Sequence, residues 1–215
     1  MQNVSMLERL PSTRTLIIAG LALVGVALAA FGGWVWWDAQ QRQAIGATAE
    51  VLARVQPAQA PDATAETRLA AARDLEQLLQ RYPSARSVPT VAYELGNVRF
   101  ASGQYAAART AYELALQGGP ARLVAAMARA GVARTWEAER DFARAAEGYA
   151  ALVKSLDPRS FLYEDALIDQ ARALELGGKK AEAVAIYQKL LKEVPTAKRS
   201  DDIRSRLASL GTATR

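Results

Sequence analysis

Residues Leu16 to Trp37 form a run of 22 residues without a single charge. As a helix rising ~1.5 Å per residue, the run is ~33 Å long, enough to cross a ~30 Å hydrocarbon core. The rest of the chain is polar enough to dissolve. The expected organisation is a soluble domain tethered to a membrane by one N-terminal helix. Arg9 and Arg14 precede the run with only Glu8 opposing them, whereas Asp38, Arg42, Glu50 and Arg54 cancel after it. The positive-inside bias puts residues 1–14 in the cytoplasm and everything beyond Trp37 across the membrane. Trp34, Trp36 and Trp37 sit where indole rings favour the headgroup layer, which argues for a retained anchor. Ala27-Leu28-Ala29 supplies the competing reading, a signal peptide cut near Ala29, but cleavage there would strand three tryptophans at a new N-terminus. Ala29 and Gly33 make a small-xxx-small pair, which Ala- and Gly-rich composition explains without helix pairing.

Beyond the run lie about 178 residues, enough for one domain with a core or a short repeat array. Setting aside Arg9, Arg14 and Glu8 leaves 25 Lys+Arg against 21 Asp+Glu, a scattered excess of +4. Such a surface reads as solvated helix faces with a mild preference for acidic partners, and no nucleic-acid motif is present. The chain has neither cysteine nor histidine. That removes thiol nucleophiles, Ser-His-Asp and Cys-His sites, and the usual zinc and haem ligands. The carboxylate pairs Glu137/Glu139, Glu164/Asp165 and Asp201/Asp202 read as surface or first-turn charges. No cofactor or metal is expected, and the chain is read as a non-enzyme.

A repeat then emerges. Ala92-Tyr93-Glu94-Leu95-Gly96, Gly103-Gln104-Tyr105, Ala108, Tyr112, Ala115-Leu116 and Pro120 place a turn at Gly103 between two helices. The second helix carries an apolar stripe at three- and four-residue steps. Val132, Trp136, Phe142, Ala145, Tyr149, Leu152 and Pro158 repeat the layout, with Arg140-Asp141 where the turn glycine would stand. Ala166, Leu167, Leu174, Gly177-Gly178, Ala183, Tyr187, Leu190-Leu191 and Pro195 repeat it again. The equivalent alanines 108, 145 and 183 are spaced by 37 and 38 residues. Tyr112, Tyr149 and Tyr187 are read as core. Ala71, Leu75, Leu78-Leu79 and Tyr82-Pro83 match only the second helix of a preceding copy, because Pro57 and Pro61 interrupt its first. We therefore expect a helix over Asp38–Val55 continuing from the span, a Pro/Ala loop, and a helix from about Thr64. Ser200 is placed as the N-cap of a final polar helix, Asp201–Leu210, which would close the last repeat.

These motifs resemble the tetratricopeptide repeat superfamily over roughly residues 64–210. The expected fold is all-α: one transmembrane helix (15–37), a membrane-proximal helix and loop (38–63), a helical repeat array of α-solenoid type with a capping helix (64–210), and a tail (211–215). One span ending Gly32-Gly33-Trp34-Val35-Trp36-Trp37, then a Gln/Ala-rich helix and a short array, is similar to the YfgM-like bacterial family. That resemblance implies an inner-membrane protein facing the periplasm that associates with the Sec translocon and periplasmic chaperones, as an assembly factor or chaperone-like subunit. Tyr82-Pro83-Ser84-Ala85 and Tyr93-Glu94-Leu95-Gly96 are also similar to the repeat domain of the Tol-Pal-associated coordinator YbgF. The second resemblance implies an envelope scaffold for cell division, Tol-Pal or cytochrome assembly instead. Either way the partners are proteins, with the membrane engaged through Leu16–Trp37; nucleic acid is excluded, and a homo-oligomer is left open without being predicted.

Repeats of this kind present the first helix of each pair to a groove. One residue beyond the Leu-Gly position lie Asn97, Arg134 and Arg172, with Tyr93, Phe100, Met127 and Ile168 nearby. This line suits a carboxylate or an acidic peptide segment. It resembles the carboxylate-clamp members of the superfamily, but the lysine expected one turn earlier is absent. The alternative is that Arg134 and Arg172 pair with Glu137, Asp169 or Glu175 on their own helices.

Overall fold

The computed structural model describes residues 13–194 and 199–211. The described residues form nine α-helices, one 3-10 turn and no strand. Two compact units divide the chain, residues 1–45 and 46–215. The first contributes most of α1 (Thr13–Val55), in which every residue from Leu16 to Trp37 is exposed. None of the described residues covers these side chains, and a soluble protein rarely leaves so large an apolar surface in water. This is the one helix, among the described residues, long and apolar enough to cross a membrane, as a single-pass anchor requires. The cytoplasmic placement of residues 1–14 concerns a segment of which residues 1–12 lie outside the described residues.

In the second unit, α1 ends at Val55 because Pro57 offers no N–H and its ring opposes further α-helix. A 3-10 turn, Gln56–Gln59, comes next and buries Ala58. Helix α2 (Ala65–Arg81) is capped by the Thr64 hydroxyl, which accepts from the Thr67 N–H at 3.1 Å. The last turns of α1 lie on α2 through Val51, Leu52 and Val55, so the first helix of the incomplete copy is supplied by the end of the long helix.

Three helical hairpins continue the chain: α3 (Val88–Ala101) with α4 (Tyr105–Ala115), α5 (Arg122–Ala138) with α6 (Phe142–Ser155), and α7 (Phe161–Leu176) with α8 (Lys180–Glu193). Each helix packs on the one before it, as a stacked array requires. Ala108, Ala145 and Ala183 are fully buried, and Tyr112, Tyr149 and Tyr187 fill the space beside them. The Tyr112 ring lies between α3 and α5. A Cβ on Gly96 would fall 2.5 Å from it, and one on Gly131 2.7 Å from it. Helix α9 (Ser200–Ser209) buries Ile203 and Leu207 and closes the array. Its cap differs from the sequence expectation. Ser200 is the first helical residue, Arg199 occupies the cap, and the Arg199 N–H donates to Glu164 instead. The stop expected at Pro195 falls outside the described residues.

Trp136 on α5 joins α4 to α6 by taking a guanidinium group from each over its ring. Arg109 is 3.4 Å and Arg144 4.4 Å from the ring centroid. Arg109 also donates to the buried Thr135 hydroxyl at 3.1 Å and to Glu139 at 2.8 Å. Cation–π contacts of this kind contribute ~0.5–2 kcal/mol each.

Candidate peptide groove

The first helices of the hairpins meet around an open pocket of about 650 Å³. Phe100 enters from α3, Arg134, Glu137 and Ala138 from α5, and Asp169, Arg172 and Leu176 from α7, with Arg140 from the turn between α5 and α6 and Phe142 from the start of α6. The positions share one side of each helix because they recur at three- and four-residue steps. Of the seven residues expected to line a groove, the structure brings Phe100, Arg134 and Arg172 together here. Tyr93, Asn97, Met127 and Ile168 are not among the lining residues. Tyr93 instead packs its ring 5.8 Å from Tyr112, Met127 is half-buried on α5, and Ile168 belongs to the core of the last two hairpins.

Asn97 serves the core. Its side-chain oxygen accepts from the Tyr112 hydroxyl at 2.8 Å, and its amide donates to Glu94 at 3.2 Å. Arg172 is likewise occupied. Nε and Nη2 each donate to Glu137 at 2.8 Å, and Nη1 donates to Asp169 at 2.6 Å. The expected same-helix pairing is therefore met by Asp169, while the two-point bond to Glu137 reaches back to the previous hairpin. The Tyr149 hydroxyl completes the network, donating to Glu137 at 3.0 Å. Glu137 thus departs from the surface role its spacing suggested.

Burial acts to raise the Glu137 carboxyl, but the Arg172 hydrogen bonds and charge, the Tyr149 hydroxyl and Arg134 outweigh it and hold the group below its ordinary value. At Asp169 the balance reverses: burial wins over Arg172, and the carboxyl is pushed up. The hydrogen bonds to Glu137, together with the charges of Asp169 and Glu137, raise Arg172 further above its usual range. The network is a fixed floor of one cation and two carboxylates, and the nearby Arg134 charge helps to offset its excess negative charge.

Arg134 is different. It is exposed, its guanidinium carbon sits 5.7 Å from the Phe100 centroid, and among the described residues no carboxylate pairs with it. A guanidinium stacked on a ring keeps its N–H edge free for an anion. The spacing of Asn97, Arg134 and Arg172 placed them in equivalent helical positions, yet Tyr112 draws the first inward and two carboxylates occupy the third. Arg140 and Phe142 escaped the sequence reading of the groove, although the missing turn glycine at position 140 was a visible signal.

The profile of the tetratricopeptide repeat-like domain family matches residues 14–212, nearly the whole chain and including the apolar helix. No curated protein matches the sequence. With the stacked hairpins, the alanine–tyrosine seam and this match in place, the chain belongs to the tetratricopeptide repeat-like domain family, whose repeats serve as protein-interaction modules.

Proposed function

We propose that this protein is a non-catalytic, single-pass inner-membrane protein whose repeat array faces the periplasm and holds acidic segments of partner proteins. It works as an assembly factor or chaperone-like subunit beside the Sec translocon and periplasmic chaperones. The observation carrying the binding role is Arg134: an exposed, unpaired guanidinium stacked on Phe100, in a pocket drawn from three successive hairpins. The absence of histidine and cysteine from the whole chain, and the typically non-catalytic character of the family, support binding over chemistry. The 22-residue apolar run, the Trp cluster and the charges around them support the anchor and its orientation. The translocon-associated role rests on the YfgM-like arrangement of span, Gln/Ala-rich helix and short array.

In-cell crosslinking of the full-length chain, detergent extraction and mass spectrometry test this reading, with Arg134→Gln run in parallel. Translocon subunits and periplasmic folding factors, depleted by the substitution, are the expected result. Division, Tol-Pal or cytochrome-assembly proteins without translocon would move the protein to envelope scaffolding. Partners unaffected by Arg134→Gln would remove the groove from their recognition.

A further inference from the structure

We propose that Arg140 is a second ligand-binding residue of the pocket, paired with Arg134 to hold two carboxylates of one acidic peptide segment; the assignment rests on the pocket being an acidic-segment site. The three inter-helix turns of the hairpins are built alike. The Gln104, Asp141 and Lys179 N–H groups each donate, at 2.9 Å, to the carbonyl five residues back, on Arg99, Trp136 and Leu174. Such a turn requires a left-handed residue just past the helix end. The first and third turns use Gly103 at φ 73° and Gly178 at φ 79°. The second uses Arg140 at φ 64°, and among the described residues no other non-glycine has positive φ. Glycine takes this conformation freely, whereas an L side chain takes it at a cost. The middle hairpin therefore carries strain that its neighbours avoid, at the one turn whose residue lines the pocket.

The arginine so placed is poised like its neighbour. The Arg140 guanidinium carbon lies 5.6 Å from the Phe142 centroid, and that of Arg134 lies 5.7 Å from the Phe100 centroid. Among the described residues neither has a carboxylate partner, whereas Arg172 has two. The pocket thus offers two cations without a salt-bridge partner among the described residues, each over an aromatic ring, beside an Arg172 already held by two carboxylates. Three arginines against Glu137 and Asp169 leave the lining one positive charge in excess, and charge complementarity selects an acidic segment whose two Asp or Glu side chains meet Arg134 and Arg140. A basic segment would find Glu137 and Asp169 already taken.

The test uses the full-length chain in lipid nanodiscs and fluorescence anisotropy with a labelled peptide carrying two glutamates flanked by leucines, against its glutamine counterpart. Wild type should prefer the glutamate peptide, and the preference should shrink with added salt. Arg140→Gly should weaken that binding about two- to fivefold, the loss of one exposed ion-pair contact. It should also raise the melting midpoint, because glycine relieves the turn. Arg140→Lys, which keeps the charge without the planar fork, should fall between. Unchanged affinity in Arg140→Gly overturns the assignment even where Arg134→Gln still weakens binding, an outcome that leaves the pocket reading intact. A lower melting midpoint in Arg140→Gly also overturns it, by making the arginine part of the scaffold. No preference for the glutamate peptide and no effect of Arg134→Gln would sink the pocket reading, and the assignment with it.

Discussion

Arg172 on α7 holds both carboxylate oxygens of Glu137 on α5, with its Nε and Nη2 each at 2.8 Å. Two consecutive hairpins are thereby joined by a planar fork meeting a planar acceptor, the geometry for which arginine is better suited than lysine.

Removing the fork should loosen the array. Arg172→Ala leaves Glu137 and Asp169 without their cation and should destabilise by ~1–3 kcal/mol, which chemical denaturation would measure. Arg172→Lys should recover only part of that loss, since one ammonium cannot satisfy both oxygens in plane. Pairing Arg172→Ala with Arg134→Ala to probe binding would therefore mix a scaffold defect with a lost ligand contact, and Arg134→Gln alone is the cleaner variant.

The same network sets an acid limb. Glu137 is held below its ordinary value when folded, so its contribution is fully present above the unfolded value and fades as pH falls through the folded one. Asp169 acts oppositely: its raised folded value means that its burial cost is relieved on acidification. Glu137→Gln should therefore melt earlier than wild type at neutral pH, and the gap should begin to narrow below the ordinary glutamate value of about 4.3 and close as pH falls beneath the lower folded value. A gap that persists in acid would show that packing, not charge, supplies the Glu137 contribution.

The alkaline limb belongs to the tyrosines. Burial raises Tyr112, Tyr149, Tyr163 and Tyr187, with Tyr163 pushed up to about 12 by burial and its bond to Glu193. A raised folded value means stability that is complete below the unfolded value near pH 10 and is lost as pH climbs through the folded values. Phenolate absorbance should thus show these four ionising together with loss of helical circular dichroism. Ionisation near pH 10 with helicity intact would place them at the surface.

Gly96 tests the packing of the first hairpin. Its Cβ would meet the Tyr112 ring at 2.5 Å, and that ring is fully buried and anchored through its hydroxyl to Asn97. Gly96→Ala should cost ~1–3 kcal/mol through overpacking, despite the better helix propensity of alanine. Ala145→Leu, at a fully buried position of the second hairpin, should cost a similar ~1–3 kcal/mol. An unaltered melting midpoint in either variant would contradict the observed packing.

Much of the architecture was legible because it is carried by local pattern. The steps of 37 and 38 between Ala108, Ala145 and Ala183 and the tyrosine four residues after each announce hairpins whose second helices face the core. Pro57 and Pro61 likewise mark where a helix cannot continue. Ser200 shows the limit of such reasoning. A serine before two aspartates looks like a cap, yet the segment starts one residue earlier because the Arg199 N–H finds Glu164 on α7, a partner no local pattern contains.

The groove divides along the same line. Periodicity alone determined that Asn97, Arg134 and Arg172 share a helical position, and hydrophobic length alone determined that Leu16–Trp37 is long and apolar enough to cross a membrane. Which of three polar residues stays free was decided only by tertiary structure. Tyr112 reaches Asn97 across the α3–α4 hairpin, and Glu137 reaches Arg172 from a residue 35 positions away. Hydrogen bonds between side chains distant in sequence depend on how helices stack, and stacking is set by the summed packing of the core. Arg134 is left exposed over Phe100 by that arrangement, and Arg140 lines the same pocket from a left-handed turn position that sequence spacing marks only as a missing glycine.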